Sequence, residues 1–172
     1  MKNKKNIKIF LSTLLILALI YFGSLLVSIY IIPTIRIYDE SMNPSLNKDD
    51  IFIFKRTKNI NRGDFVAFYV DDKLLIKRCI ATGNDTINID LEGNVYINDS
   101  LIEEKYIINK SYGKVSIDLP YQIEENNIFV LSDDRTDPSD SRNSLIGSIP
   151  NDKILGKIVF RIYPIKDIGK IN

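Results

Sequence analysis

The stretch from residue 9 to residue 32 runs for 24 positions without a charged side chain and is dominated by Leu and Ile. As an α-helix it would extend about 36 Å at ~1.5 Å per residue. That is enough to cross a hydrocarbon core of about 30 Å with some tilt. A cleaved secretory signal has a shorter apolar region, about 7–15 residues, and ends in a small-residue cleavage site. Tyr30-Ile31-Ile32-Pro33 is no such site, so an uncleaved signal anchor is expected, with Tyr30 near the outer interface. Lys2, Lys4, Lys5 and Lys8 precede the run, whereas Arg36 beyond it is soon followed by Asp39 and Glu40. That bias keeps an amino terminus cytoplasmic. The expected organisation is a cytoplasmic basic tail (1–8), a single transmembrane anchor in the plasma membrane (9–32) and an extracytoplasmic domain (33–172), with the lipid bilayer as a standing partner.

Beyond the anchor there is room for one domain in a chain of 172 residues. Its 45% hydrophobic and 26% charged content calls for a packed core. Four of the 23 basic residues lie in the tail, so the remainder is net acidic against 22 Asp and Glu. A nucleic-acid partner would need a clustered basic face and is not expected. Cys79 is the single cysteine, which excludes an internal disulfide and a cysteine-rich zinc site. With Ile80 beside it, a buried and inert thiol is expected.

Strand patterning dominates this domain. Residues 51–55, 64–70, 73–80, 86–90, 94–98, 128–131 and 154–162 are short apolar or β-rich runs. Asp71-Asp72 separates two of them as a two-residue hairpin, and Leu91-Glu92-Gly93 separates another pair. Helical periodicity is poor after the anchor, so the expected fold class is mainly β: an antiparallel β-sheet domain preceded by one transmembrane helix. Residues 103–116 and 119–127 read as either a hairpin extension or loops.

The chemistry-bearing stretch is Ser41-Met42-Asn43-Pro44-Ser45-Leu46. Pro44 fixes its own φ and pushes Asn43 out of the helical region, so Ser41 enters a turn from an extended segment. A serine hydroxyl is a poor nucleophile until a neighbour takes its proton. The chain has no histidine, so a catalytic Ser41 needs a lysine or a carboxylate as base. Lys77, flanked by Leu74, Leu75, Ile76 and Ile80, is the best placed: burial disfavours the ammonium form and can bring a lysine into the general-base range. Asp133, Asp134, Asp137 and Asp140 form the one dense carboxylate cluster. It lacks the glycine and terminal glutamate of an EF-hand loop, and Arg135 and Arg142 interleave it, so charge pairing is expected rather than metal.

Four blocks in order give the chain a family likeness. They are Ser41-Met42-x-Pro44-x-Leu46; Arg62-Gly63-Asp64-x-Val66-x-Phe68; Lys77-Arg78-x-Ile80 through Asp85; and Asp133-x-Arg135 through Asp140-Ser141-Arg142 with Gly147. Gly156-Lys157 and Tyr163-Pro164 also fit. From about Asp39 to Pro164, together with the anchor, the chain resembles the bacterial type I signal peptidases, membrane-anchored serine proteases that remove signal peptides. The resemblance implies Ser41 as nucleophile and Lys77 as general base, with no cofactor or metal. It implies exported preproteins with small residues before the cleavage site as substrates. Met42, Pro44, Arg78, Asp133, Ser139, Asp140 and Arg142 would support the site, with Asp133 paired to Arg78 and Asp140 to Arg142. Departures from the pattern include Ser132 for a glycine, Asp134 for an asparagine and Gly83-Asn84 for a Pro-Gly pair, all read as tolerated loop changes. Asp39 stands where a Gly or Ser helps form the oxyanion hole, and its charge is expected to point away from a developing oxyanion. Pro138 replaces a serine that orients the lysine. Ser139, one residue on, is expected to turn its hydroxyl onto Lys77 instead, with Thr136 and Ser141 as fallbacks. The alternatives are a degenerate relative acting as a membrane-bound assembly factor, and a peptidase dedicated to one exported substrate.

Overall fold

The computed structural model describes residues 2–30 and 33–171. Two compact units partition the chain, Met1–Pro33 and Thr34–Asn172. The first is a single helix, α1 (Lys2–Tyr30), which takes in the basic tail as well as the apolar run. Within it Asn6–Val27, 22 residues of mean hydropathy 2.4, is long and apolar enough to cross a membrane. Ser12, Thr13 and Ser24 donate their hydroxyls to carbonyls three residues back at 2.7–2.8 Å. That satisfies groups for which a lipid environment offers no partner. The last two positions of the expected span, Ile31 and Ile32, lie outside the described residues, as does the side chain of Tyr30.

Among the described residues the second unit is built from twelve strands: β1 (Thr34–Arg36), β2 (Ile51–Lys55), β3 (Phe65–Val70), β4 (Lys73–Thr82), β5 (Thr86–Ile89), β6 (Val95–Ile97), β7 (Ser100–Leu101), β8 (Tyr121–Gln122), β9 (Asn127–Leu131), β10 (Ile149–Pro150), β11 (Ile154–Tyr163) and β12 (Gly169–Lys170). The larger sheet runs β1-β2-β11-β3-β4-β9-β10, with β12 added to β11, and the smaller runs β7-β6-β5-β8. Every described pairing is antiparallel.

Asp71-Asp72 closes a two-residue hairpin between β3 and β4, with Val70 opposite Lys73 and Asp71 at φ 50°. Aspartate tolerates this left-handed conformation better than most side chains. Strand β4 runs two residues past the expected end, because β9 pairs with it as far as Thr82. Residues 103–116 form no strand, whereas residues 119–127 contribute β8 to the smaller sheet. Pro150 sits in an edge strand, where its missing N–H breaks no ladder bond.

Three apolar clusters fill the unit. One joins the smaller sheet to β4 and β9 through Ile80, Ile87, Val95, Phe129 and Leu131. A second lies among β3, β4 and β9 around Val66, Phe68, Cys79 and Val130. The third gathers Ile37, Met42, Leu46, Phe52, Phe65 and Ile158. Met42 and Leu46 belong to the turn that carries Ser41, so that turn is nailed to the core on both sides of Pro44.

Candidate active site

Ser41 lies in the connection from β1 to β2, where the chain turns tightly. The Asn43 N–H donates to the Glu40 carbonyl at 3.0 Å and the Leu46 N–H to the Met42 carbonyl at 2.9 Å. With Met42 1% and Leu46 0% exposed, the spacing of this motif has a packing reason: its two apolar residues anchor the turn and leave the serine at its mouth. The Ser41 carbonyl accepts from the Asp134 N–H at 3.0 Å, which ties the turn to the loop of residues 132–142.

Lys77 comes from the middle of β4 and is 1% exposed. Arg78 pairs with Leu131 across β4 and β9; one residue further, the same register sets Lys77 across from Ser132. The Lys77 Nζ donates to Ser132 Oγ at 2.8 Å and to Asp137 Oδ2 at 3.4 Å. Burial lowers its pKa below the usual lysine value, and the charges of Asp137, Asp140 and Asp39 oppose that shift without cancelling it. Asp137 is pushed up by burial, but the Lys77 charge and hydrogen bonds from Ser139 outweigh this and hold its carboxyl below the ordinary value.

Two expectations are corrected here. The hydroxyl that meets Lys77 belongs to Ser132 and not to Ser139. The Ser139 N–H donates to Asp137 Oδ1 at 2.7 Å, so Ser139 reaches the lysine only through Asp137. The fallback hydroxyls are also engaged elsewhere: Thr136 Oγ1 donates to Asp134 and Ser141 Oγ accepts from the Val130 N–H. Asp39, second, turns toward the serine. Its Oδ1 accepts from Ser41 Oγ at 2.7 Å and from the Ser41 N–H at 3.1 Å. A short carboxylate two residues before a free N–H closes this local ring readily. Ser41 and Lys77 therefore each face a different partner, and no hydrogen bond joins them among the described residues.

Buried ion pairs stiffen the surroundings. Arg78 meets Asp133 bidentately at 2.8 and 2.6 Å, and its Nη2 also donates to Ser45 Oγ. Its guanidinium lies 4.1 Å from the Phe65 ring centroid and 3.8 Å from that of Tyr106. Arg142 meets Asp140 at 2.9 and 2.7 Å and donates to the carbonyls of Tyr112, Arg135 and Asp137. Arg135 meets Glu104 at 2.5 and 3.1 Å and donates to the Ser132 carbonyl at 2.9 Å. A Cβ at Gly113 would fall 2.4 Å from Arg142 Nη1 and 2.7 Å from the Arg135 carbonyl, at φ +67°; glycine is what lets that strap close over the loop.

Ser132, Asp137 and Glu104 escaped the sequence reading as partners. For Ser132 a signal existed, since a hydroxyl gained at 132 and one missing at 138 lie in the same loop. Glu104 comes from a segment without strand pattern and had none.

A cleft of about 450 Å³ opens beside the serine, lined by Ile37, Met42, Leu74 and Ile76 with Asp39 among its polar residues. The arrangement offers a hydroxyl, a desolvated amine and an apolar groove within one unit, the parts that serine-dependent acyl transfer needs.

Comparison with known proteins gives the same direction. The sequence profile of the family described as signal peptidase, peptidase S26, matches residues 6–163. Signal peptidase I S of Bacillus subtilis strain 168 is 31% identical over 161 residues, covering 87% of this chain and 86% of that protein. Signal peptidase I of Bacillus licheniformis is 28% identical over 183 residues, covering 99% and 96%. A protein named inactive signal peptidase IA, from Staphylococcus aureus strain MRSA252, is 27% identical over 174 residues, covering 94% of each. With a profile match across nearly its whole length, the chain belongs to the signal peptidase family, peptidase S26.

Proposed function

We propose that this protein is a membrane-anchored serine endopeptidase that removes signal peptides from exported preproteins, with Ser41 as nucleophile and Lys77 as general base. The observation that carries this reading is Lys77 itself. A lysine 1% exposed normally survives burial by tight pairing with a carboxylate, yet here a neutral hydroxyl is the nearer partner and its pKa is driven down.

In the reaction, Ser41 Oγ leaves Asp39, gives its proton to the Lys77 lone pair and bonds to the scissile carbonyl carbon. Lys77 then passes that proton to the departing amine, leaving an acyl-enzyme that water hydrolyses. The Ser41 N–H, once released by Asp39, is a donor for the oxyanion. On β4, residues 73–76 pair with β3 on one side, while β9 occupies the other side only from Arg78 onward. An extended substrate adds as a strand along that open edge. Small side chains at its first and third positions before the cut then point into the cleft beside Ile37, Met42, Leu74 and Ile76. Helix α1 anchors the unit to the plasma membrane, amino terminus cytoplasmic and residues 33–172 on the outer side.

The test is cleavage of a preprotein bearing an Ala-x-Ala site by the detergent-solubilised full chain. Ser41→Ala and Lys77→Ala each abolish processing, and the double variant is no worse than either single one, because both act on one proton transfer. Lys77→Arg is equally inactive, since arginine does not deprotonate. Processing that survives Ser41→Ala refutes the dyad.

One observation favours a second reading, a degenerate relative acting as a membrane-bound assembly factor: the Asp39 carboxylate occupies both the hydroxyl and the N–H of Ser41, and one relative carries the name inactive. Under that reading the parent fails to cleave any preprotein although Ser41 and Lys77 are present.

A further inference from the structure

Resting on that dyad, we infer that Ser132 is the residue that positions Lys77, fixing the direction in which its lone pair points. A neutral lysine amine has two N–H bonds to donate and one lone pair with which to accept. If Ser41 is to supply the proton, the lone pair must face Ser41, and the two N–H bonds need acceptors on the other sides. The structure provides two: Ser132 Oγ at 2.8 Å and Asp137 Oδ2 at 3.4 Å. The shorter contact comes from the more rigid partner.

Ser132 is 0% exposed, and its backbone is held at both ends. Its N–H donates to Asp140 Oδ2 at 3.0 Å and its carbonyl accepts from Arg135 Nε at 2.9 Å. The first of these carboxylates is clamped by Arg142 and the second group, Arg135, by Glu104. The Ser132 hydroxyl is thus located by two buried ion pairs and by the β4–β9 register that sets it across from Lys77. Asp137 is a poorer guide. Its side chain is 24% exposed, its contact is long, and its charge favours the protonated lysine that cannot act as a base. Ser132 holds the amine while favouring its protonated form less than a carboxylate does, because a hydroxyl dipole attracts the ammonium without a full negative charge.

Ser132→Ala removes the oxygen and keeps the backbone contacts. Two readouts separate positioning from a merely structural role. The first is the pH titration of the Lys77 ε-carbon in ¹³C-lysine-labelled full-length protein, assigned with Lys77→Met. Hydrogen bonds to a charged donor are about twice as strong as neutral ones, so losing Ser132 penalises the ammonium more than the amine. The titration moves to lower pH, by about half a unit or more. The second is kcat and KM for a peptide substrate on the alkaline plateau, where Lys77 is neutral in parent and variant alike. There kcat falls at least tenfold while KM stays within about twofold, since misplacement acts on the chemical step.

A plateau kcat within twofold of the parent overturns the inference, and so does a Lys77 titration at the parental pH. If the parent itself does not cleave, the dyad reading fails separately. The titration then decides Ser132 alone: a downward shift upholds it as the partner that holds Lys77, and no shift refutes it.

Discussion

Asp39 makes the sharpest test of how the serine is released for reaction. In the structure its carboxylate takes the Ser41 hydroxyl at 2.7 Å and the Ser41 N–H at 3.1 Å. A hydrogen bond to a charged group contributes about 1.5–3 kcal/mol. Asp39 is an exposed residue, so solvent replaces much of that, and about 1–2 kcal/mol for the pair together is a fair discounted figure. Under the proposed dyad both bonds must break before Oγ can turn to Lys77 and the N–H can serve an oxyanion, so they stabilise the ground state and not the transition state. Asp39→Ala therefore raises kcat by roughly 5–30-fold, at ~1.4 kcal/mol per factor of ten. Asp39→Asn, neutral but still able to accept, gives a smaller rise. The assay is single-turnover cleavage of an Ala-x-Ala peptide by full-length protein at saturating substrate, which reads chemistry and not binding. A fall of tenfold or more in Asp39→Ala refutes this reasoning. It would mean that the carboxylate is itself the proton acceptor.

Asp137→Asn removes the carboxylate whose charge raises the Lys77 pKa. The rising limb of the activity–pH profile then moves to lower pH, so the gain over the parent is greatest below the parental inflection; a shift to higher pH contradicts the assignment of Lys77 as base. The Cys79 thiol, pushed up to about 12 by burial, stays protonated at pH 8. It resists iodoacetamide in the folded protein and reacts after denaturation, which mass spectrometry of the alkylated chain reads directly. Glu104→Ala strands the Arg135 guanidinium, both side chains of the pair being 1% exposed. It destabilises the protein by about 3–5 kcal/mol, measured by denaturant unfolding, and lowers activity through the loop that carries Ser132.

The parts of this architecture that were legible in the sequence are those set by local chemistry. The Asp71-Asp72 hairpin follows from two β-rich runs and two residues that tolerate a turn. The Ser41 turn was recognisable because Met42, Pro44 and Leu46 dictate both a bend and its anchorage. Strands β1, β7, β10 and β12 carry no signal in the sequence, and β8 falls in a stretch that reads equally as hairpin or loop; all five are two or three residues long and owe their conformation to a partner and not to their own pattern. The same holds at the site. Which hydroxyl meets Lys77 depends on the pairing of β4 with β9, which brings together two residues 55 apart in the chain, and residue-by-residue reasoning about position 138 cannot see a register. Asp39 departs from expectation for a different reason. Its charge bears on a transition state, whereas the nearer competition is an aspartate closing a ring on the N–H two residues ahead, a preference written in the sequence itself.

The loop of residues 132–142 is held by three arginine–carboxylate pairs, Arg78–Asp133, Arg135–Glu104 and Arg142–Asp140, each almost wholly out of water. Such a set restricts how the loop can change over generations. A single substitution at any of these six positions leaves an ion buried without its counterion, at a cost comparable to much of a domain's net stability. A lineage can leave such a pair only by losing both members nearly together. Neutral positions carry no such lock: residue 132 can carry a hydroxyl and residue 138 a proline without leaving an ion unpaired. The charged members of these pairs thus act as a ratchet, and what natural variation is left to retune the Lys77 amine falls to residues outside the pairs, Ser132 and Asp137 among them.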